Sequence, residues 1–195
     1  PVVPLRGLTV FPGIAVHFDV IRMKSIEGIQ QAMLAGQKVF LIRQKDEKVE
    51  EPDKDALCHG GVLAEIRQVV RVPQKGIRVM VYGEKRAILR EFREANGFWE
   101  GDISIYPEKC PDLPEGVTLE GMKKVLTDAL KQYAIRTKRV PEGVIQDILK
   151  IDDVYTMAAE AAAGIGLDSA SLQKLLDEDS LLERFYLLAA KIEEE

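Results

Sequence analysis

Apolar and polar positions alternate through much of the first hundred residues and then change period. Ile77-Arg78-Val79-Met80-Val81 and Trp99-Glu100-Gly101-Asp102-Ile103-Ser104-Ile105 alternate apolar with polar positions, the period of a strand with one buried face. Ile14–Ile21, Lys38–Gln44, Val62–Val72 and Phe98–Tyr106 share an enrichment in Val, Ile, Phe and Tyr, so strands are expected in all of these segments. Gln74-Lys75-Gly76 and Ala95-Asn96-Gly97 supply turns, and Asn-Gly is the strongest short hairpin signal because both residues accept positive φ. One helical stretch interrupts the strands. Ser25 offers its cap, Ile26, Ile29 and Met33 fall along one face, and Gly36 can close it in the left-handed conformation. The pattern predicts a small closed or partly closed β-barrel carrying one helix.

After Gly116 the period becomes helical. Leu119, Met122, Val125, Leu126, Ala129, Leu130 and Tyr133 recur at three- and four-residue spacing behind Thr118, a candidate cap. Pro141 suits the first turn of a second helix with Val144, Ile145, Ile148 and Leu149 on its buried face. A third runs from Val154 to Ala163 and stops near Gly164 and Gly166, and Ser169 can cap a short fourth. Ser180 with Glu183 forms a capping box ahead of Leu181, Leu182, Phe185, Leu188 and Ile192. This last helix has no stop signal and closes on Glu193-Glu194-Glu195, carboxylates at the negative end of its dipole, so the chain is expected to be cut within a helix. Between the two regimes, Pro107, Pro111 and Pro114 exclude a regular element. The expected class is α+β: a β-rich unit over residues 1–106, a proline-rich linker over 107–117, and an all-α helical bundle over 118–195.

Charge sharpens the division. Of the 27 basic and 32 acidic residues, 17 of each lie in residues 1–116, so the net charge of −5 falls wholly in the helical part. A chain that grips phosphate backbones usually carries a basic excess, which disfavours nucleic acid as a partner. Cys58 and Cys110 are too few for a disulfide framework and read as reduced thiols. No apolar run approaches the roughly 18 residues that span a bilayer, so no membrane partner is expected and the chain reads as cytoplasmic.

A search for catalytic chemistry returns little. There is no phosphate-cradling glycine loop and no Gly-x-Ser-x-Gly elbow. Cys58 and His59 are neighbours whose side chains point apart on an extended chain. With only Cys58, Cys110, His17 and His59 as sulfur or nitrogen donors, no pair has zinc-ligand spacing. The pairs Asp152-Asp153 and Glu50-Glu51 and the run Asp177-Glu178-Asp179 read as caps, loops and a solvated helix junction. No catalytic, metal or cofactor residue is expected.

A series of short motifs is more informative. Pro4-Leu5-Arg6, Val10-Phe11-Pro12, Arg22 with Lys24-Ser25-Ile26, Gln44-Lys45-Asp46 and Pro52 come in order, followed by Gly61 with Ala64, Val72-Pro73, and Gly83 with Arg86-Ala87. Together they resemble the amino-terminal domain of the Lon family of ATP-dependent proteases across residues 1–90. The chain departs from that pattern at His17, Ile21, Leu57-Cys58 and Gln74-Lys75.

The resemblance implies a PUA-like β-domain followed by helices. It implies a chain that recognises unfolded or damaged polypeptides and helps assembly, with ATP, Mg and the serine-protease chemistry supplied by modules of a longer parent. The parent is expected to be hexameric, and this chain alone monomeric or weakly dimeric through apolar patches of its β-unit. A reader of unfolded chains needs exposed apolar surface. Phe11, Pro12 and Ile14 around a Gly13 bend, with Arg22, Met23 and Lys24, are therefore the expected substrate contacts. Arg22 and Lys24 precede a helix start, where the dipole disfavours cations. Rival readings are a free-standing adaptor and an RNA-binding PUA-like module.

Overall fold

In the computed structural model, which describes residues 1–195, Val2-Val3-Pro4-Leu5 forms a first strand, β1 (Val2–Leu5), that alternation does not announce. All four residues are buried, so no polar position marks a period of two. Proline cannot donate to a ladder and is confined to sheet edges. In keeping with this, β1 is a terminal strand whose sole ladder partner is the parallel β3 (Lys38–Arg43). The other strands are β2 (Ala15–Val20), β4 (Gly60–Arg71), β5 (Ile77–Ala95) and β6 (Phe98–Ile105). The sheet order is β1-β3-β4-β5-β2, with β6 also on β5.

The sequence pattern marks β5 only to Val81, but the strand is 19 residues long. Its first part pairs with β2 and its second, from Ala87, with β6. Exchanging neighbours along one strand, with a register shift between Leu89 and Glu91, breaks the simple alternation. The β5–β6 turn is the one Asn-Gly predicts, with φ of 55° at Asn96 and 84° at Gly97. Inside the sheet, Val2, Phe40, Ile42, Leu57, Ala87, Leu89 and Trp99 form a buried apolar cluster.

The helix α1 (Met23–Leu34) starts differently from the expectation. Arg22, not Ser25, is the N-cap residue, and no side chain caps the helix. Ser25 lies inside the first turn and is buried with Gly28, Ile29 and Ala32. Ile26 is half-buried and Met33 exposed, so the inward face is rotated away from the one that large apolar residues mark. Small residues are inward here because α1 packs close to β6, where the Gly28 Cα faces Pro1 and the Phe98 side chain.

Residues 107–195 form a second compact unit, separate from Pro1–Tyr106. Its helices are α2 (Leu119–Arg136), α3 (Glu142–Leu149), α4 (Val154–Gly164), α5 (Ser169–Asp177) and α6 (Leu181–Glu194). Thr118 and Ser180 cap α2 and α6 as their sequences predict, accepting from the Gly121 and Glu183 amides. Two details differ. Asp168, one residue before Ser169, caps α5 through the Ser171 amide, and Glu178 rather than Glu183 accepts the Ser180 N–H at 2.9 Å. The face Met122, Leu126, Ala129, Leu130 and Tyr133 is buried, whereas Leu119 and Val125 are exposed. Tyr133 donates its hydroxyl to the Ile165 carbonyl at 2.9 Å. No helix is long and apolar enough to cross a membrane.

Two helices are capped by carboxylates, α4 by Asp153 and α5 by Asp168. Hydrogen bonds from the Thr156 hydroxyl and amide hold Asp153 below the usual carboxylate range, and the Ser171 amide does the same for Asp168. A depressed folded-state pKa contributes stability above the unfolded value, about 4. That contribution is lost as pH falls through the folded value. Thermal melts between neutral and strongly acidic pH should show a decline in Tm that becomes shallower in D153N/D168N. Asparagine caps a helix without titrating, so an unchanged slope would remove these carboxylates from the acid response.

Candidate functional site

The first turn of α1 is where strand ends, helix and loop meet. Arg22 Nη1 donates to the Gln44 side-chain oxygen at 2.6 Å and to the Glu50 carbonyl at 3.2 Å, while Nη2 donates to the Pro4 carbonyl at 2.6 Å. Gln44 is itself buried, and its amide donates to the Asp46 and Val49 carbonyls. The Arg22 guanidinium lies 5.2 Å from the Trp99 ring centroid, within cation–π range. Burial first, then repulsion from Arg6, lowers the Arg22 pKa to about 10, with Glu50 opposing. The group therefore stays charged at neutral pH.

Lys24 also has partners. Its ammonium reaches Glu51 at 2.6 Å and Glu94 at 2.7 Å and lies 5.4 Å from the same Trp99 ring. Those hydrogen bonds raise its pKa. The cations that the dipole disfavours are thus compensated by carboxylates and carbonyls distant in sequence.

Beside this turn a groove opens between the two terminal strands. Val3 and Leu5 of β1 and Leu8 form one wall, Phe18 and Val20 of β2 the other, and Ile21, Arg22 and Ser25 close the end at α1. It holds about 140 Å³. A cavity of about 150 Å³ accepts benzene, so one aliphatic or aromatic side chain fits. Ile21 is 70% exposed and Met23 77% exposed next to it, an apolar lip beside the groove.

The six residues expected from sequence are not gathered here. Arg22 lines the groove, and Met23 stands exposed near it. Lys24 is tied into its ion pairs. Phe11, expected on an exposed loop, is 1% exposed and belongs to the core. Pro12 and Ile14 are half-buried, and none of the three lines the groove. The cause is Gly83 of β5. Its Cα abuts the backbone at Phe11, where a Cβ would lie 2.2 Å from the Phe11 carbonyl oxygen, and its N–H donates to Ile14. The bend is sealed onto the sheet. Ile21, the residue sequence reasoning missed, carried one signal: an apolar side chain directly before an arginine at a strand-to-helix junction.

Comparison with known proteins follows the same lines. A family model described as the ATP-dependent protease La (LON) substrate-binding domain matches residues 1–192. Similar proteins include the Lon protease of Lachnoclostridium phytofermentans, 31% identical over 195 residues, covering 100% of this chain and 24% of that protein. The Lon protease of Syntrophomonas wolfei is 30% identical, again over 100% of this chain and 24% of that protein. The chain spans about a quarter of the length of these curated relatives. Among solved structures, the N-terminal domain of Mycobacterium avium complex Lon protease aligns with a TM-score of 0.70 at 20% identity, covering 98% of this chain and 96% of that one. The Lon N-terminal domain protein from Xanthomonas campestris aligns at 0.61 and 16% identity, over 97% and 96%. These two likenesses establish a shared α+β fold.

Replacing Arg22 by Lys keeps a charge but loses the planar fork that serves three acceptors at once. R22K should lower stability by roughly 1–3 kcal/mol in urea unfolding. Combined with Q44A it should be non-additive by more than about 0.5 kcal/mol, as expected of one network. Strict additivity would mean that the two side chains act separately.

Proposed function

Because this chain belongs to the family of ATP-dependent protease La (LON) substrate-binding domains, we propose that the groove between β1 and β2 receives apolar side chains of unfolded or damaged polypeptides. The observation that carries the reading is the exposure of Ile21 and Met23 at the mouth of a groove with apolar walls. In a folded substrate such side chains are buried; in an unfolded one they are available. Recognition by apolar burial needs no fixed sequence, which suits a reader of many chains.

On this reading the chain is the recognition part of a longer cytoplasmic protein. ATP, Mg and the serine nucleophile that cuts the substrate belong to other modules of that protein, as does the contact that closes a hexamer. By itself this chain forms monomers or weak dimers and hydrolyses nothing.

The test is binding of a permanently unfolded, carboxymethylated model protein, followed by fluorescence anisotropy. Burying a large apolar side chain contributes roughly 1.5–3 kcal/mol, so I21D/M23D should weaken binding by about tenfold or more. Both side chains face water, so thermal stability should change little. Unchanged affinity in a folded double variant would dismiss the groove as the binding site.

A further inference from the structure

We propose that the α1 end of the groove captures the chain-terminal carboxylate of a polypeptide whose last residue is apolar. The proposal rests on the reading of the groove as a polypeptide site and names the end of the substrate it takes.

The start of α1 lacks the side-chain devices that usually meet a helix dipole. The 12-residue α1 has no side-chain cap and no acidic residue in its first turn, so its first N–H groups and the positive end of its dipole face no carboxylate of their own. Ser25 supplies an independent observation. It lines the groove, is 1% exposed, and its buried hydroxyl has no hydrogen-bond partner. Buried hydroxyls are normally paired, and an unpaired one marks a place where a partner is missing.

The surrounding charge agrees. Arg6 and Arg22 both line the groove. Glu50 lies 3.0 Å from Arg6, and Arg22 feels the repulsion of Arg6 more than the attraction of Glu50. Asp19 also lines the groove, but its carboxylate is engaged by Arg78 at 2.7 and 3.1 Å. Lys24 is balanced by Glu51 and Glu94 and lies outside the lining. The contacts of Arg22 use three of the five N–H groups a guanidinium offers, leaving two for a ligand.

The apolar walls then select among carboxylates. An aspartate or glutamate presents a carboxylate with no apolar side chain on the same residue. A terminal Leu, Val or Phe presents both, within the space of one residue, which matches the groove's volume.

The experiment measures anisotropy of three labelled peptides on the full chain: one ending in Leu with a free carboxylate, the same peptide as its carboxamide, and the carboxamide with a penultimate Asp. The free acid should bind about tenfold more tightly than either amide, the scale of a charge-assisted hydrogen-bond set. R6Q should erase that preference. S25A, which removes an unpartnered group and should fold, should weaken the free acid alone by about threefold or more. If all three peptides bind equally and I21D/M23D abolishes them all, the carboxylate assignment is overturned while the groove stands. If the penultimate Asp restores full affinity, the commitment to a chain end is overturned. If no peptide binds, the groove reading falls and the assignment with it.

Discussion

A guanidinium half removed from water ties the β1–β3 ladder to the loop that follows it. Arg22 bonds the Pro4 carbonyl of β1, the buried Gln44 after β3, and the Glu50 carbonyl of the following loop, while its face lies near Trp99 of β6. A buried charge is tolerable only when its donors find acceptors, so the position of each acceptor is constrained by the others. β1 depends on this most. It has four residues, a central proline and a single ladder partner, and the Pro4 carbonyl accepts from Arg22. The loop from Asp46 to Val49 is held in turn by the amide of Gln44. Lysine, a point charge on a flexible stem, could not serve three such acceptors in one plane.

The helical unit was largely legible in the sequence because its signals are local. A cap, a period of 3.6 and a proline can be recognised within one segment, and Thr118, Ser180 and the Met122–Tyr133 face behave accordingly. Errors there are local: Asp168 caps in place of Ser169, Glu178 replaces Glu183 at the Ser180 N–H, and Leu119, Val125 and Val144 at the edges of the apolar faces are exposed. The β-unit was less legible because its information is non-local. The true length of β5 follows from two partners, β2 and β6, that lie on opposite sides of it in the chain. β1 pairs in parallel with a strand beyond the helix. Gly83 was the readable clue to Phe11: a glycine inside a strand marks close backbone approach, and what approaches is the bend that Phe11 and Pro12 begin.

The candidate site was legible in part for the same reason. The helix dipole correctly marks Arg22 and Lys24 as cations that need an explanation. Where the explanation lies is set by the fold. Lys24 is answered by Glu51 and Glu94, residues on a loop and on β5, and Arg22 by carbonyls and an amide. What these contacts leave uncommitted is a different set: the exposed Ile21 and Met23, and the groove walls contributed by β1, a strand the alternation does not show.

Local rules are broken together at one place in this chain, the first turn of α1. Of the helices, α2, α4, α5 and α6 begin with a side-chain cap. α3 begins at Pro141, which has no side-chain acceptor to offer, but carries Glu142 in its first turn to meet the dipole. α1 alone has neither device. In the same turn a hydroxyl is buried without a partner, and the two residues flanking Arg22 expose large apolar side chains. Each feature separately costs a little stability and would be unremarkable. A natural sequence is locally consistent except where something other than stability shapes it. Meanwhile the Arg22 network keeps the surrounding backbone firmly placed. A rigid frame around an unsatisfied, partly apolar edge is the arrangement expected of a site that binds many chains: the frame stays fixed, and the ligand supplies what is missing.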